Sequence, residues 1–304
     1  MRLIRRKISW RSILFRLAFY GGLYLAVCAY LAYTYIHPAR QKVTAPTWVR
    51  QVDLPGSHAS IPAWVSPRIA GGVGRPVVFV LAYGYGGTRE SWSDLMLALP
   101  KMGFECVAPC MPGQEASREN SVGFGLTEAH TIVDTVRWVR TKYRTPPKIV
   151  LCGVSMGGAA SWIASEQDPT VDAVVTEGAY ARFDEAMNNW LNRKIPGSSV
   201  TLRPMIWFAS AMDHLNPSDI VPLNSAAKWT KPALVIQGGD DVLIPMSHAR
   251  QLSDAAHCRL WIVPGAQHAQ CFTVARKAYL QALKAIADTV APPAKLPANS
   301  KTHV

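Results

Sequence analysis

From residue 76 onward the chain alternates between two hydrophobic patterns. Short, continuously apolar runs are bounded by turn residues and read as buried strands: PVVFVLA (76–82), FECVA (104–108), KIVLC (148–152), VDAVVT (171–176), PALVIQ (232–237) and CRLWIV (258–263). Between them, segments near 88–102, 127–143, 156–167, 247–256 and 270–289 carry helical spacing. Strand–helix alternation with strands apolar on both sides predicts an α/β fold: a mainly parallel sheet, helices on both faces and right-handed crossovers. Residues 48–65 read as a hairpin, WVRQVDL and ASIPAWV around Pro55-Gly56-Ser57, ahead of a glycine-rich loop. One interval breaks the rhythm. Residues 181–231 hold Trp190, Leu191 and the run Met205-Ile206-Trp207-Phe208-Ala209, too much chain for a simple crossover. They read as a helical cap inserted over the ligand edge of the sheet. The last segment, 291–304 (APPAKLPANSKTHV), reads as a mobile tail.

The N-terminal region follows a different pattern. After a basic segment, 1–16, residues 17–36 (LAFYGGLYLAVCAYLAYTYI) run for 20 positions without a charge. At about 1.5 Å per residue such a helix crosses a hydrocarbon core of about 30 Å. Tyrosines near its ends suit the membrane interface. Six basic residues precede the segment, and Arg40, Lys42 and Arg50 follow it. That bias predicts a single-pass anchor with a cytoplasmic N-terminus and the bulk of the chain on the extracytoplasmic side. The alternative is a cleavable signal peptide, which the length of the apolar stretch and the lack of a small-x-small site disfavour. Leu25-Ala26-Val27-Cys28 resembles a lipoprotein cleavage box only loosely, because Val27 is bulky where a small residue is expected. Residues 37–47 (HPARQKVTAPT) form a polar, proline-containing linker.

Composition narrows the class. The chain has 304 residues, 49% hydrophobic and 17% charged, against a usual charged share of about 25%. Disorder over most of its length is excluded, since the apolar content suffices for a core. The net charge of +12 is not a nucleic-acid signature, because eight of the basic residues lie in the first 42 positions and no acid precedes Asp53. Six cysteines are too sparse for a disulfide scaffold. On an oxidising side of the membrane, Cys106, Cys110, Cys258 and Cys271 could pair, whereas Cys152 sits in a predicted central strand and is expected to be buried and free. No metal site is expected, given scattered histidines and no paired C-x-x-C spacing. No redox cofactor is expected either, since no G-x-G-x-x-G follows a strand.

The decisive string is Lys148-Ile149-Val150-Leu151-Cys152-Gly153-Val154-Ser155-Met156-Gly157-Gly158-Ala159-Ala160. It is an apolar strand, then G-x-S-x-G, then a helix start of small residues. A sharp strand-to-helix turn projects the Ser155 hydroxyl off the top of the sheet. A serine hydroxyl needs a base to become a nucleophile, and the base needs an orienting carboxylate. In this architecture the order is serine, acid, histidine. Downstream, PALVIQGGDDVLIP places Asp241 in the loop after one strand, and CRLWIVPGAQHAQCF places His268 in the loop after the next. Both lie beyond strand carboxyl ends, where α/β sheets bind ligands. His248 and His257 are weaker candidates because they lie on or at the end of a helix, and His214 falls in the cap.

These motifs resemble the α/β-hydrolase superfamily over about residues 75–289, within a predicted domain of 48–290. The closest likeness is to membrane-anchored serine hydrolases of the Bem46 and serine-aminopeptidase-like type. The family's elbow falls on Gly153 to Gly157. Its G-x-x-D-x-x-x-P falls on Gly238, Asp241 and Pro245, which selects Asp241 over Asp240, and its G-x-x-H falls on Gly265 and His268. The resemblance implies an oxyanion hole made by the backbone N–H groups of Met156 and Tyr85. Two departures stand out. Tyr83 occupies the position of a usual histidine in Tyr83-Gly84-Tyr85-Gly86-Gly87, and the loop Cys110–Ser117 keeps only Gly113 and Ser117 of the pattern D-x-R-G-x-G-x-S. In the family that loop lies near the pocket entrance, so a reshaped pocket is expected.

The resemblance implies two-step acyl transfer with Ser155 as nucleophile, His268 as base and Asp241 as its orienter, and no cofactor. The expected substrate is a small-molecule or lipid-like ester or thioester. Trp190, Trp207 and Phe208 are candidates to line an acyl pocket near the membrane, or else pack onto the sheet. Alternatives are a peptidase or amidase of the same fold and a non-catalytic, membrane-tethered binding protein, which Tyr83 keeps open.

Overall fold

The computed structural model describes residues 9–67 and 76–292. The basic residues 1–8, most of the glycine-rich loop and the tail from 293 lie outside the described residues.

Helix α1 (Trp10–Ile36) begins seven residues before the uncharged stretch, because Ser9 caps it by accepting the Ser12 N–H at 3.3 Å. Pro38 follows its end and cannot continue it. It is long and apolar enough to cross a membrane.

Strands β1 (Arg50–Leu54) and β2 (Ile61–Val65) form the antiparallel hairpin. They are followed by β3 (Val77–Ala82), α2 (Ser93–Lys101), β4 (Glu105–Pro109), α3 (Leu126–Arg140), β5 (Lys148–Val154), α4 (Met156–Gln167) and β6 (Ala173–Glu177). Next come α5 (Phe183–Lys194), α6 (Ser198–Thr201), α7 (Arg203–Asp213) and α8 (Pro222–Ala227). The chain closes with β7 (Ala233–Gly238), α9 (Met246–Ala255), β8 (Arg259–Val263), α10 (Cys271–Val274) and α11 (Arg276–Val290).

The eight strands form one sheet in the order β1-β2-β4-β3-β5-β6-β7-β8. Only the first two pairings are antiparallel. Strands β3, β6 and β7 are buried along their whole length, which is why they read as unbroken apolar runs rather than alternating ones. Helices α3, α4, α8 and α9 pack side by side along the sheet, while α2 and α11 cover it elsewhere and are tied by Arg276 to Asp94.

The interval between β6 and β7 divides in two. Its last helix, α8, lies against α4 and α9 and is the ordinary crossover. Helices α5 to α7 form the cap, and α7 lies along α1, with Met205 buried against Cys28 and Ala32.

Candidate active site

The sharp turn at the top of β5 sets the site. Ser155 has φ 55° and ψ −121°, a backbone conformation that side-chain-bearing residues adopt only under strain. It is held there by its own N–H, which donates to the Glu177 carbonyl at 2.8 Å. A Cβ on Gly153 would run into the Gly157 carbonyl, and one on Gly157 into the Ala82 carbonyl, so glycine at both positions lets strand, turn and helix meet.

Loops after β7 and β8 bring two more side chains to that hydroxyl. His268 Nε2 lies 2.9 Å from Ser155 Oγ, and His268 Nδ1 lies 2.8 Å from Asp241 Oδ2. The Asp241 carboxylate is anchored on its other sides as well. Its Oδ1 accepts the N–H groups of Leu243 and Ile244, both at 2.9 Å, and its Oδ2 accepts Gln237 Nε2 at 3.0 Å. Its side chain is 1% exposed, against 19% for His268, so the carboxylate is sealed and the imidazole faces the cavity.

The other histidines lie elsewhere. His248 Nδ1 accepts the Ala181 N–H at 3.3 Å, and burial holds its pKa below the usual histidine value. His214 and His257 end helices in left-handed backbone conformations, with φ 52° and 47°.

Two backbone donors belong to residues that border the same cavity. The Met156 N–H is the first of α4 and has no acceptor within the helix. The Tyr85 N–H meets no acceptor among the described residues. Both residues line one cavity with Ser155 and His268. Gly84 brings their loops together, because a Cβ there would lie 3.0 Å from Ser155 Cβ.

Tyr83 replaces the usual contacts of a histidine with its own. Its hydroxyl accepts the Met111 N–H at 2.7 Å and reaches Cys110 Sγ at 3.6 Å. Burial, reinforced by Cys110 and Glu115 nearby, pushes its phenol well above the usual value. None of the residues of the loop Cys110–Ser117 lines the cavity. The loop is a buried brace instead. Gln114 Oε1 accepts the Gly86 N–H at 2.5 Å, and the Glu115 carboxylate accepts both the backbone N–H and Nε of Arg89, the latter at 2.7 Å.

The cavity measures about 350 Å³, within the range of about 300–1,000 Å³ typical of small-molecule sites. Its walls are mostly aromatic and aliphatic. Trp190 lines it, whereas Trp207 is 65% exposed and Phe208 packs in the α1–α7 contact, so neither of those two reaches the cavity. Among the described residues Glu177 is the one acidic wall residue; its Oε1 accepts the Cys271 N–H at 2.8 Å, and burial raises its pKa.

Three participants escape sequence reasoning. Gln237 braces Asp241 from within β7. Gly178, at φ +59°, leaves room for the His268 ring, which a Cβ would approach to 3.2 Å. Tyr35, from the end of α1, stacks on Phe124 and Trp190 at ring separations of 4.8 and 5.4 Å, meets the Tyr85 ring at a tilt at 5.2 Å, and walls the cavity. One of the tyrosines near the end of the apolar stretch is thus a wall of the pocket. All six cysteines are unpaired, with Cys106, Cys110, Cys152 and Cys271 buried, so no pairing among the candidates occurs.

A family model described as alpha/beta hydrolase fold matches residues 77–194. Among solved structures, the esterase Pf2001 of Pyrococcus furiosus is similar over 83% of this chain and 96% of its own, with a TM-score of 0.65 and 16% identity. Est1E from Butyrivibrio proteoclasticus covers 78% of this chain and 98% of its own, with a TM-score of 0.59 and 15% identity. The acylaminoacyl peptidase of Pyrococcus horikoshii matches over 79% of this chain and 40% of its own, with a TM-score of 0.59 and 14% identity. No curated protein matches the chain in sequence. The chain has the α/β-hydrolase fold.

Proposed function

We propose that this α/β-hydrolase-fold protein is a serine hydrolase of ester or thioester bonds, held at a membrane by α1. The observation that carries the reading is the hydrogen-bonded series from Ser155 Oγ through His268 to Asp241, set at a strained turn beside two free amides.

In the proposed reaction His268 Nε2 takes the Ser155 proton as Oγ attacks the acyl carbon. Asp241 holds the imidazole by its Nδ1–H and stabilises the imidazolium. The Met156 and Tyr85 amides receive the developing oxyanion, each worth about 2.7–4 kcal/mol in the transition state. His268 passes its proton to the leaving oxygen or sulfur as the C–O or C–S bond breaks. Water then attacks the acyl-enzyme, giving a proton to His268, which returns it to Ser155 Oγ as the acid leaves.

The cavity favours an ester over a peptide. A peptide terminus calls for a charged partner, and the carboxylate in the wall, Glu177, already accepts the Cys271 amide. Basic residues on the N-terminal side of α1 favour a cytoplasmic N-terminus and a hydrolase domain on the far side. Protease digestion of sealed membranes tests that orientation, and protection on the far side would refute it.

Covalent labelling by a fluorophosphonate tests the chemistry. The wild-type chain labels, and Ser155→Ala does not. An unlabelled wild type would favour a binding protein without turnover. Among labelled enzymes, p-nitrophenyl esters should be cleaved in preference to aminoacyl anilides.

A further inference from the structure

Helix α1 is more than a tether. Its last turn and the linker after it pack into the hydrolase fold: Tyr35 O accepts the Tyr85 hydroxyl at 3.0 Å, Ile36 O accepts the Val122 N–H at 3.0 Å, and Gln41 Nε2 in the linker donates to Gly86 O at 2.9 Å. The cap follows the same helix downward. Tyr24 donates its hydroxyl to the Thr201 carbonyl, and Cys28, Ala32 and Tyr35 pack on Met205 and Ala209 of α7. From Tyr24 to Tyr35 is about 16 Å of helix rise, roughly half of a hydrocarbon core. If residues 17–36 span the bilayer, α7 lies beside the outer half of that span.

The chemistry of the cap suits such a position. Trp207, Met212, Val200 and Ile195 are exposed apolar side chains of this region. From Ala186 to Met212 there is no acid, whereas Arg193, Lys194 and Arg203 are present. A tryptophan and apolar surface edged by bases is the composition of a segment resting in a lipid interface.

A second, small cavity of about 20 Å³ lies between α1, α5 and α7, lined by Met205, Ile206 and Ala209 on the α7 side. It shares Tyr35, Phe124, Phe183 and Met187 with the cavity over Ser155. The two spaces are therefore separated by one layer of side chains, all of them apolar or aromatic.

We infer that the substrate is a long-chain acyl ester resident in the bilayer, whose chain reaches Ser155 through the α1–α7 cleft and past the Tyr35–Met187 partition. This rests on the serine-hydrolase reading above and adds to it the source of the substrate and its route. Apolar chains would cross from lipid to pocket without passing through water, which spares them the cost of exposing each CH₂ to it.

The test uses the full-length chain in phosphatidylcholine vesicles. The probes are p-nitrophenyl palmitate in the bilayer and p-nitrophenyl acetate in the buffer. Ala209→Trp fills the cleft without touching the cavity over Ser155. It is expected to lower kcat/KM for the palmitate at least tenfold while the acetate stays within twofold and fluorophosphonate labelling is unchanged. A milder Ala209→Leu should fall between wild type and Ala209→Trp. Equal losses on both esters, or no loss on either, would overturn the route. Quenching of tryptophan fluorescence by bromine-labelled lipid reads the placement of α7 without any turnover. Trp207→Phe should remove a large share of that quenching, and an unchanged quenching would overturn the placement. Failure of wild-type labelling would instead remove the serine-hydrolase reading, and the route with it.

Discussion

Gly178 shows how little room surrounds the proposed base. It follows β6 at φ +59°, a conformation that costs a side-chain-bearing residue about 1–2 kcal/mol. A Cβ there would sit 3.2 Å from two atoms of the His268 ring and 3.3 Å from Asp241 Oδ2. Gly178→Ala therefore pushes the imidazole off its line between Asp241 and Ser155. Displacements of this kind cost up to about 10²-fold in rate, so kcat is expected to fall about tenfold or more with KM little changed. Steady-state kinetics on a soluble ester separates the two parameters, and an unchanged kcat would show that the ring has slack. Nothing in the local sequence Thr176-Glu177-Gly178-Ala179 announces this role. A motif records residues that do chemistry at fixed spacing along one loop. It is silent about a residue that matters because a ring from 90 positions later rests on it. Ser155, Asp241 and His268 could be singled out because each closes a short string with its own turn residues. Gln237 could not, because its contact with Asp241 depends on how the chain reverses after β7.

At the scale of elements, the loop after β4 braces the loop after β3. Arg89 and Glu115 form an ion pair with side chains only 6% and 2% exposed, and Arg89 also lies over the Trp64 ring at 5.0 Å. Removing one member of such a buried pair leaves the other charge uncompensated, at a cost of about 3–5 kcal/mol. Glu115→Gln should destabilise the fold by an amount in that range, read from urea unfolding. Arg89→Met combined with Glu115→Leu should recover much of it, since replacing both charges removes the desolvation cost. A double variant no more stable than the single would mean that the backbone N–H of Arg89, which Glu115 also accepts, carries the brace. The strands were legible because turn residues bracket apolar runs, and their ends shift by only one or two positions. The division of 181–231 into a cap and a crossover was not. Helix α8 is six residues of unremarkable composition, and only its packing on α4 and α9 identifies it. The loop Cys110–Ser117 lost two charged positions of the family pattern in sequence. In space, Glu115 and Arg89 place a buried ion pair beside the proposed oxyanion loop.

Over the whole molecule, the cysteines bear on whether the proposed placement on the far side of a membrane suits a protein with free thiols. The apolar pattern of residues 17–36 fits both a spanning helix and a helix packed on protein, and part of it packs on protein. About two thirds of α1 stays bare while Cys28, Ala32 and Ile36 are covered. With no pairs formed, resistance to oxidation has to come from burial. The thiolate, not the thiol, is the reactive species. Burial pushes the thiol of Cys106 up to about 12, Cys152 to about 12, Cys110 to about 11 and Cys258 to about 11. The folded protein therefore keeps these groups protonated and unreactive at neutral pH, and an oxidising compartment poses them no hazard while the fold holds. The same shifts fix the sign of a pH dependence. In the unfolded chain these thiols ionise near 9, whereas in the folded protein they do so near 11 to 12. Between those values the unfolded state holds fewer protons, so stability is intact below pH 9 and declines as pH rises toward 11. Each thiol contributes at most about 1.4 kcal/mol per pH unit over that window. The expected result is a melting temperature that drops steeply between pH 9 and 11. The Cys110→Ala, Cys258→Ala variant should show a shallower drop, measured by circular dichroism at matched ionic strength. Iodoacetamide should modify native thiols only at the rate of unfolding. Rapid labelling of the folded protein at pH 8 would show a thiolate already exposed and would remove the argument that burial protects these cysteines.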